Sequence, residues 1–169
     1  MPDYLKIIEL KTAALFAAAT HLAAVLNHCT PAVQEAMKNY GLRLGTAYQI
    51  YDDCLDLVGD EDSAGKTLRT DLAKGKLTLP VLYLLEKATN HQKTKLNRML
   101  LNGEPMDTSI LAGIADYEGA VERAVTFARN MLTDARQDLM VLGDSHQRHA
   151  LNEITLYLDK LLDKCRAAA

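Results

Sequence analysis

Residues 31–58 read as one long helix that is apolar along most of its length and ends on three aspartates. Val33, Met37, Tyr40, Leu44, Ala47, Tyr51, Leu55 and Val58 recur at helical spacing, Thr30-Pro31 supplies a cap with proline at the first helical position, and Gly59 stops it. Near the end stands Tyr48-Gln49-Ile50-Tyr51-Asp52-Asp53-Cys54-Leu55-Asp56. Asp52 and Asp53 precede Asp56 by four and three residues, which crowds the carboxylates onto adjacent positions of one helical face. Like charges so placed repel, and a helix C-terminus is already negative. Arg43 lies more than two turns earlier, so nothing nearby on the helix compensates them. The arrangement costs stability unless a cation is bound, and hard oxygen donors suit Mg²⁺, which takes one or two carboxylates together with phosphate oxygens. A solvated acidic face, extended by Asp60, Glu61 and Asp62, is the competing reading. The apolar Leu55, Leu57 and Val58 around the motif weigh against it.

The rest of the chain also reads as helix. Leu5, Ile8, Leu15, Ala19, Leu22 and Leu26 recur at helical spacing from Tyr4 to about His28, with Asp3 as cap and Pro31 just beyond the end. Further helices are expected from Pro80 to about Thr89, over Gln92–Leu101, and over about 107–115, 117–142 and 146–165, with a break near Gly143. Aromatic residues make up only 5% of the chain, there is no Trp, and no strand pattern or internal repeat competes. The expected class is all-α, a helical bundle in a single domain over residues 1–169.

Between the acidic helix and Pro80 lies a polar stretch, Asp60–Leu77, too long for an idle connection in a compact domain. Gly65-Lys66 and Lys74-Gly75-Lys76 bracket Asp71 there. Glycines let lysine heads approach an anion closely, and lysine serves phosphate as a compact point charge. Lysines in a loop are more often solubilising surface, but these follow an acidic cluster by ten to twenty residues, so carboxylates, metal and lysines can converge on one diphosphate. Lys11-Thr12 sits inside the first apolar helix. Considered on that helix alone, Lys11 reads as a lysine with a buried stem and a solvated head.

Taken together, these elements resemble the C-terminal half of the trans-type polyprenyl diphosphate synthases, the polyprenyl synthetase family. The string from Tyr48 to Asp56 is similar to that family's second aspartate-rich motif. Gly65-Lys66 and Gly75-Lys76-Leu77-Thr78-Leu79-Pro80 look like its downstream Gly-Lys signatures, and Lys11-Thr12-Ala13 like its Lys-Thr-Ala motif. Where the family often has Gly two residues before Asp71, this chain has Arg69. The resemblance covers residues 4–88 strongly; beyond that the chain is a generic helical tail.

The resemblance implies an isoprenoid synthase-like bundle without its N-terminal helices. It implies a prenyltransferase that condenses isopentenyl diphosphate with an allylic diphosphate, with Mg²⁺ as cofactor. Asp52 would ligate the metal directly, and Asp53 and Asp56 through water or at a second site. Lys11, Thr12, Gln49, Lys66 and Lys76 would contact the diphosphate, the three lysines stabilising charge on the leaving group. Family members are about twice as long and carry a first aspartate-rich motif, which residues 1–169 lack, so this chain is expected to be inactive alone and to expose apolar stripes. The expected partners are the allylic diphosphate and a second copy in a homo-oligomer, a dimer.

The mild net charge of −3 and the absence of a basic stripe argue against a nucleic-acid partner. The longest apolar stretch, Ala13–Leu26, is broken by Thr20 and His21 and falls short of the ~20 residues that span a bilayer. The expectation is therefore a soluble, cytoplasmic protein without a transmembrane segment, its three cysteines free thiols. Three other functions compete: a catalytically silent diphosphate-binding partner of a full-length synthase, a magnesium-dependent terpenoid cyclase, and a plain helical interaction module. The Gly-Lys-x-Thr-Leu-Pro segment speaks against the cyclase and the lysine-rich loop against the plain module.

Overall fold

The computed structural model describes residues 1–59, 67–68, 71, 74–102, 113 and 116–167, and among these every regular element is helical. In chain order they are α1 (Pro2–Ile8), a π-helical turn (Glu9–Ala13), α2 (Ala14–Leu26), α3 (Pro31–Val58), α4 (Leu79–Lys87), α5 (Asn90–Asn102), α6 (Tyr117–Asp138), a 3-10 turn (Leu139–Leu142) and α7 (His146–Ala167). Apart from Gly113, which lies in a turn, the expected helix over 107–115 falls outside the described residues. Side-chain caps start four of the helices, whereas Asp3, expected to cap the first helix, lies within the first turn of α1. Thr30 accepts the N–H of Val33 ahead of α3, and Thr89 and Gln92 form a reciprocal capping box at the start of α5. Asp116 accepts the N–H of Gly119 at α6, and Ser145 that of Arg148 at α7.

The chain divides into two compact units. One comprises residues 2–49 and 127–161. Its first helix does not bury the leucines that the periodicity singles out: Leu15 is 75% exposed, Leu22 55% and Leu26 68%. The packed side instead runs Tyr4, Ile8, Ala13, Ala17, Ala24. Ile8 and Ala13 are five residues apart, and the π turn between them keeps both on one face, since a wider turn absorbs the extra residue. Small residues win because α2 and α3 touch at the backbone. A Cβ on Gly45 would come within 2.7 Å of the Ala13 Cα, and one on Gly41 within 2.5 Å of the Phe16 carbonyl oxygen. Thr20 spans the same contact, its hydroxyl donating to Met37 O at 2.6 Å.

Helical continuity also changes one count. From Pro2 to Leu26 the helix is 25 residues, long and apolar enough by length and composition to cross a membrane, whereas the sequence reading considered only Ala13–Leu26. The core helix of a soluble protein meets the same criterion.

Farther along, Arg43 forms an ion pair with Asp138 and donates to Asp134 O at 3.1 Å. Burial raises the Asp138 carboxyl above its ordinary value despite that guanidinium. Arg129 pairs with Asp159 at 2.8 Å.

The other unit comprises Met1, residues 50–126 and 162–169. Its core is Ile50, Cys54, Leu57, Leu79, Leu84, Leu96, Val121, Val125 and Leu162. The Arg123 guanidinium lies 4.0 Å from the Tyr83 ring centroid and donates to Glu86 at 2.7 Å. Cys54 and Cys165 are free, buried thiols. Burial pushes Cys165 up to about 11 and Cys54 well above the usual range, which leaves both protonated near neutral pH.

In the first unit, the Tyr40 hydroxyl, fully buried, donates to Leu151 O at 2.9 Å, and burial pushes its pKa up to about 12. The neutral phenol is thus favoured in the folded state. Its contribution is complete below the ordinary tyrosine value and is lost as pH rises through about 12. Tyr40→Phe is expected to lower stability at pH 7 by about 1 kcal/mol. It should also flatten the alkaline loss of stability above pH ~10. Urea titrations followed by circular dichroism across pH 7–12 test both effects.

Candidate diphosphate and metal site

The acidic motif falls in the last two turns of α3, which also carries Gln49 one turn earlier. Asp53 and Asp56 are buried, 4% and 7% exposed, while Asp52 is half-buried. A buried carboxylate requires partners. Asp56 accepts the backbone N–H of Asp71 at 3.2 Å, which ties the distal loop back to the helix. That loop is shaped by Gly75, whose φ of +68° lies in the left-handed region. The turn it makes lets Lys76 N–H donate to Asp71 O at 2.9 Å, and the Lys76 ammonium forms an ion pair with the Asp71 carboxylate. Lys76 is half exposed. Its pKa is raised first by the hydrogen bond to Asp71, then by the charges of Asp71, Asp53 and Asp56, so the ammonium lies within the field of the acidic motif. Leu77 is exposed, and the buried Thr78, Leu79 and Pro80 anchor the loop into α4.

In the other unit the π turn carries Lys11 and Thr12. Thr12 Oγ1 donates to Gln49 Oε1 at 2.6 Å, joining two predicted site residues that are 37 positions apart. Gln49 is buried, whereas Lys11 is exposed rather than lying along an apolar surface. π turns inside helices recur at functional sites, because the widened turn re-aims its side chains. Lys66 and Arg69 lie outside the described residues.

Sequence reasoning did not assign Asp71 a part. Its placement between the two Gly-Lys pairs was the available signal. The π turn was missed too, although the five-residue step from Ile8 to Ala13 carries it.

Among the described residues no three His, Cys, Asp or Glu side chains form a ready-made metal cage. The donors present still fit Mg²⁺. They are hard carboxylate oxygens, two of them buried, and this ion completes its octahedron with water and phosphate oxygens rather than with an all-protein set. Asp52, Asp53 and Asp56 are the side chains that would hold it.

Comparison with known proteins places this geometry in context. A family model described as polyprenyl synthetase matches residues 1–116. The chain is 38% identical over 149 residues to a short chain isoprenyl diphosphate synthase of Methanothermobacter thermautotrophicus, covering 88% of this chain and 46% of that protein. It is 34% identical over 151 residues to the octaprenyl diphosphate synthase of Escherichia coli, again covering 88% and 46%. Among solved structures, a Caulobacter crescentus polyprenyl synthase complexed with calcium and isoprenyl diphosphate superposes with a TM-score of 0.81 at 29% identity, over 98% of this chain and 49% of that one. The chain spans about half the length of the curated relatives it matches.

Asp71→Asn is expected to return the Lys76 ammonium toward the ordinary lysine value, because it removes the leading cause of the shift. A carbon-detected NMR titration of the lysine ε-carbons reads this directly. A Lys76 titration that does not move would mean that Asp53 and Asp56, not Asp71, hold its proton.

Proposed function

The chain belongs to the polyprenyl synthetase family, and on that premise we propose that it supplies the magnesium- and diphosphate-binding carboxylates of a prenyltransferase. The proposed reaction joins isopentenyl diphosphate to an allylic diphosphate, forming a longer trans-polyprenyl diphosphate and releasing inorganic diphosphate. The observation that carries this reading is the burial of Asp53 and Asp56 in an apolar helix end, with the Lys76 ammonium in their field. Burying two carboxylates is costly, and a solvated acidic face has no use for that burial.

Asp52, Asp53 and Asp56 act as the metal ligands. Lys11, Thr12, Gln49, Lys66 and Lys76 contact the diphosphate. A magnesium ion bound there supplies positive charge to the departing diphosphate. Lys76 is held ready by Asp71 as a fixed cation and cannot be mistaken for a base, since its proton is retained more firmly than usual. The hydrogen bond from Thr12 orients Gln49, and the π turn brings Lys11 next to Thr12. The chain is placed in the cytoplasm and in a homo-oligomer. The exposed Leu15, Leu22 and Leu26 support an associating helical face.

A second reading is favoured by one observation, the chain's coverage of about half of each relative. On it, residues 1–169 bind diphosphate without elongating it and complement a longer synthase polypeptide. Elongation needs both substrates positioned together, and that proximity is worth many orders of magnitude in rate.

Calorimetric titration with pyrophosphate, with and without Mg²⁺, tests the site. Mg²⁺-dependent binding should vanish when Asp52→Ala and Asp56→Ala are combined. Lys76→Ala should weaken it roughly tenfold or more, the worth of one charge-assisted contact. Affinity unchanged in these variants, with the fold intact, returns the motif to the solvated surface.

A second assay addresses catalysis. The purified 169-residue chain is expected to give no elongated product from isopentenyl diphosphate and an allylic starter. Adding a polypeptide with the remaining part of a family synthase should restore synthesis. Elongation by the chain alone, abolished by Asp52→Ala, would make it an enzyme unaided.

A further inference from the structure

Nine of the seventeen Lys and Arg side chains in the described residues pair with a carboxylate: Lys6 with Glu9, Lys38 with Glu35, Arg43 with Asp138, Lys76 with Asp71, Arg123 with Glu86, Arg129 and Arg136 with Asp159, Arg148 with Asp144 and Arg166 with Glu122. Four of the other eight are clustered in residues 87–98. That stretch holds Lys87, Lys93, Lys95 and Arg98, together with His91, and no Asp or Glu, in a chain whose net charge is −3. None of these four cations forms an ion pair with a described residue.

Their placement is not that of a random charge run. α5 is pinned at its N-terminus by the Thr89–Gln92 capping box and at its core by Leu96 and Met99, 2% and 5% exposed. The opposite side presents His91, Thr94, Lys95, Arg98 and Leu101 at steps of three and four, a single helical face. The first four line a shallow cavity of about 200 Å³. Leu101, the last, is 86% exposed, more than any other large apolar side chain among the described residues.

We infer that this face of α5 binds the surface of an anionic lipid bilayer. The cations and the small cavity accept lipid phosphate, and Leu101 enters the acyl boundary. Charge and exposure favour lipid: four Lys and Arg within twelve residues, with no Asp or Glu among them, match an anionic bilayer surface, and the bare Leu101 beside them can enter the acyl boundary. The inference is independent of the prenyl-transfer reading, because it involves none of the residues assigned to the diphosphate.

Flotation of the 169-residue chain with vesicles tests it, using phosphatidylcholine alone and a mixture with phosphatidylglycerol. Binding is expected only to the anionic vesicles, and raising the salt should release it. Each cation near a charged bilayer contributes about fivefold in partitioning. The double variant Lys95→Glu with Arg98→Glu should therefore lose at least about tenfold. Leu101→Ser should weaken binding while leaving the salt dependence in place. The control Lys6→Glu with Lys38→Glu makes the same change in net charge elsewhere and should bind nearly as the parent does.

Three outcomes overturn the inference. Equal binding to neutral vesicles would point to the apolar helix Pro2–Leu26. Equal losses in the two double variants would reduce the effect to net charge. Failure to bind vesicles, with tight salt-sensitive binding of poly-glutamate, would reassign the face to acidic proteins.

Discussion

Two carboxylates buried at the end of one helix set the terms for everything around them. Removing a carboxylate from water costs several kcal/mol after relaxation, and a helix C-terminus adds its own negative end. A chain that keeps Asp53 and Asp56 4% and 7% exposed must supply compensation from outside the helix. It does so through the loop that follows. The backbone N–H of Asp71 reaches Asp56, and Gly75 bends the chain so that Lys76 is held by the Asp71 carboxylate within the field of the motif. Asp71 therefore has two jobs, one done by its main chain and one by its side chain. A lysine merely tethered in a loop would sample many positions. A lysine clamped by a neighbouring carboxylate has already surrendered that freedom, and less remains to be lost when an anion arrives.

The other unit solves a different problem with different residues. α2 and the turn before it approach α3 so closely that α3 must give up its own side chains there, hence Gly41 against Phe16 and Thr20 and Gly45 against Ala13 and Phe16. Close approach is what allows the short Thr12 side chain to reach Gln49 at 2.6 Å. The π turn is the device that makes the two demands compatible, keeping Ile8 and Ala13 on the packed side while the Lys11-Thr12 pair occupies the widened turn. The leucines displaced to the outside are the consequence. A helix has one packed face, and once it is given to alanine the bulky apolar residues remain exposed.

That trade explains what could and could not be read from the sequence. The long helix 31–58 was legible because Met37, Tyr40, Leu44, Ala47 and Val58 are buried where a 3.6-residue period puts them. Caps were legible because Thr30-Pro31 and the break near Gly143 are local chemistry. The first helix misled, since hydrophobic periodicity weighs leucine above alanine, and here backbone proximity outweighs side-chain bulk. Of the site, the residue types and their spacing were visible. The Thr12–Gln49 hydrogen bond and the Asp71 clamp were not, since each depends on tertiary contacts between residues far apart or on a turn set by one positive φ. Family resemblance supplied the proposed roles, but not the means by which this chain holds the groups in place.

The carboxylates proposed to bind metal differ from the ordinary ones in what surrounds them. Arg43, the only cation on α3 besides Lys38, lies more than two turns before the acidic motif. It is instead committed to Asp138 and to the carbonyl of Asp134. Asp138 is a structural carboxylate in the full sense: burial raises its pKa, a guanidinium opposes the rise, and the charge is answered within the fold. Lys76, whose ammonium feels the charge of Asp53 and Asp56, is answered first by Asp71. Arg43 is thus committed elsewhere and Lys76 is held by Asp71; on the proposed reading, a metal ion would add further positive charge at the motif.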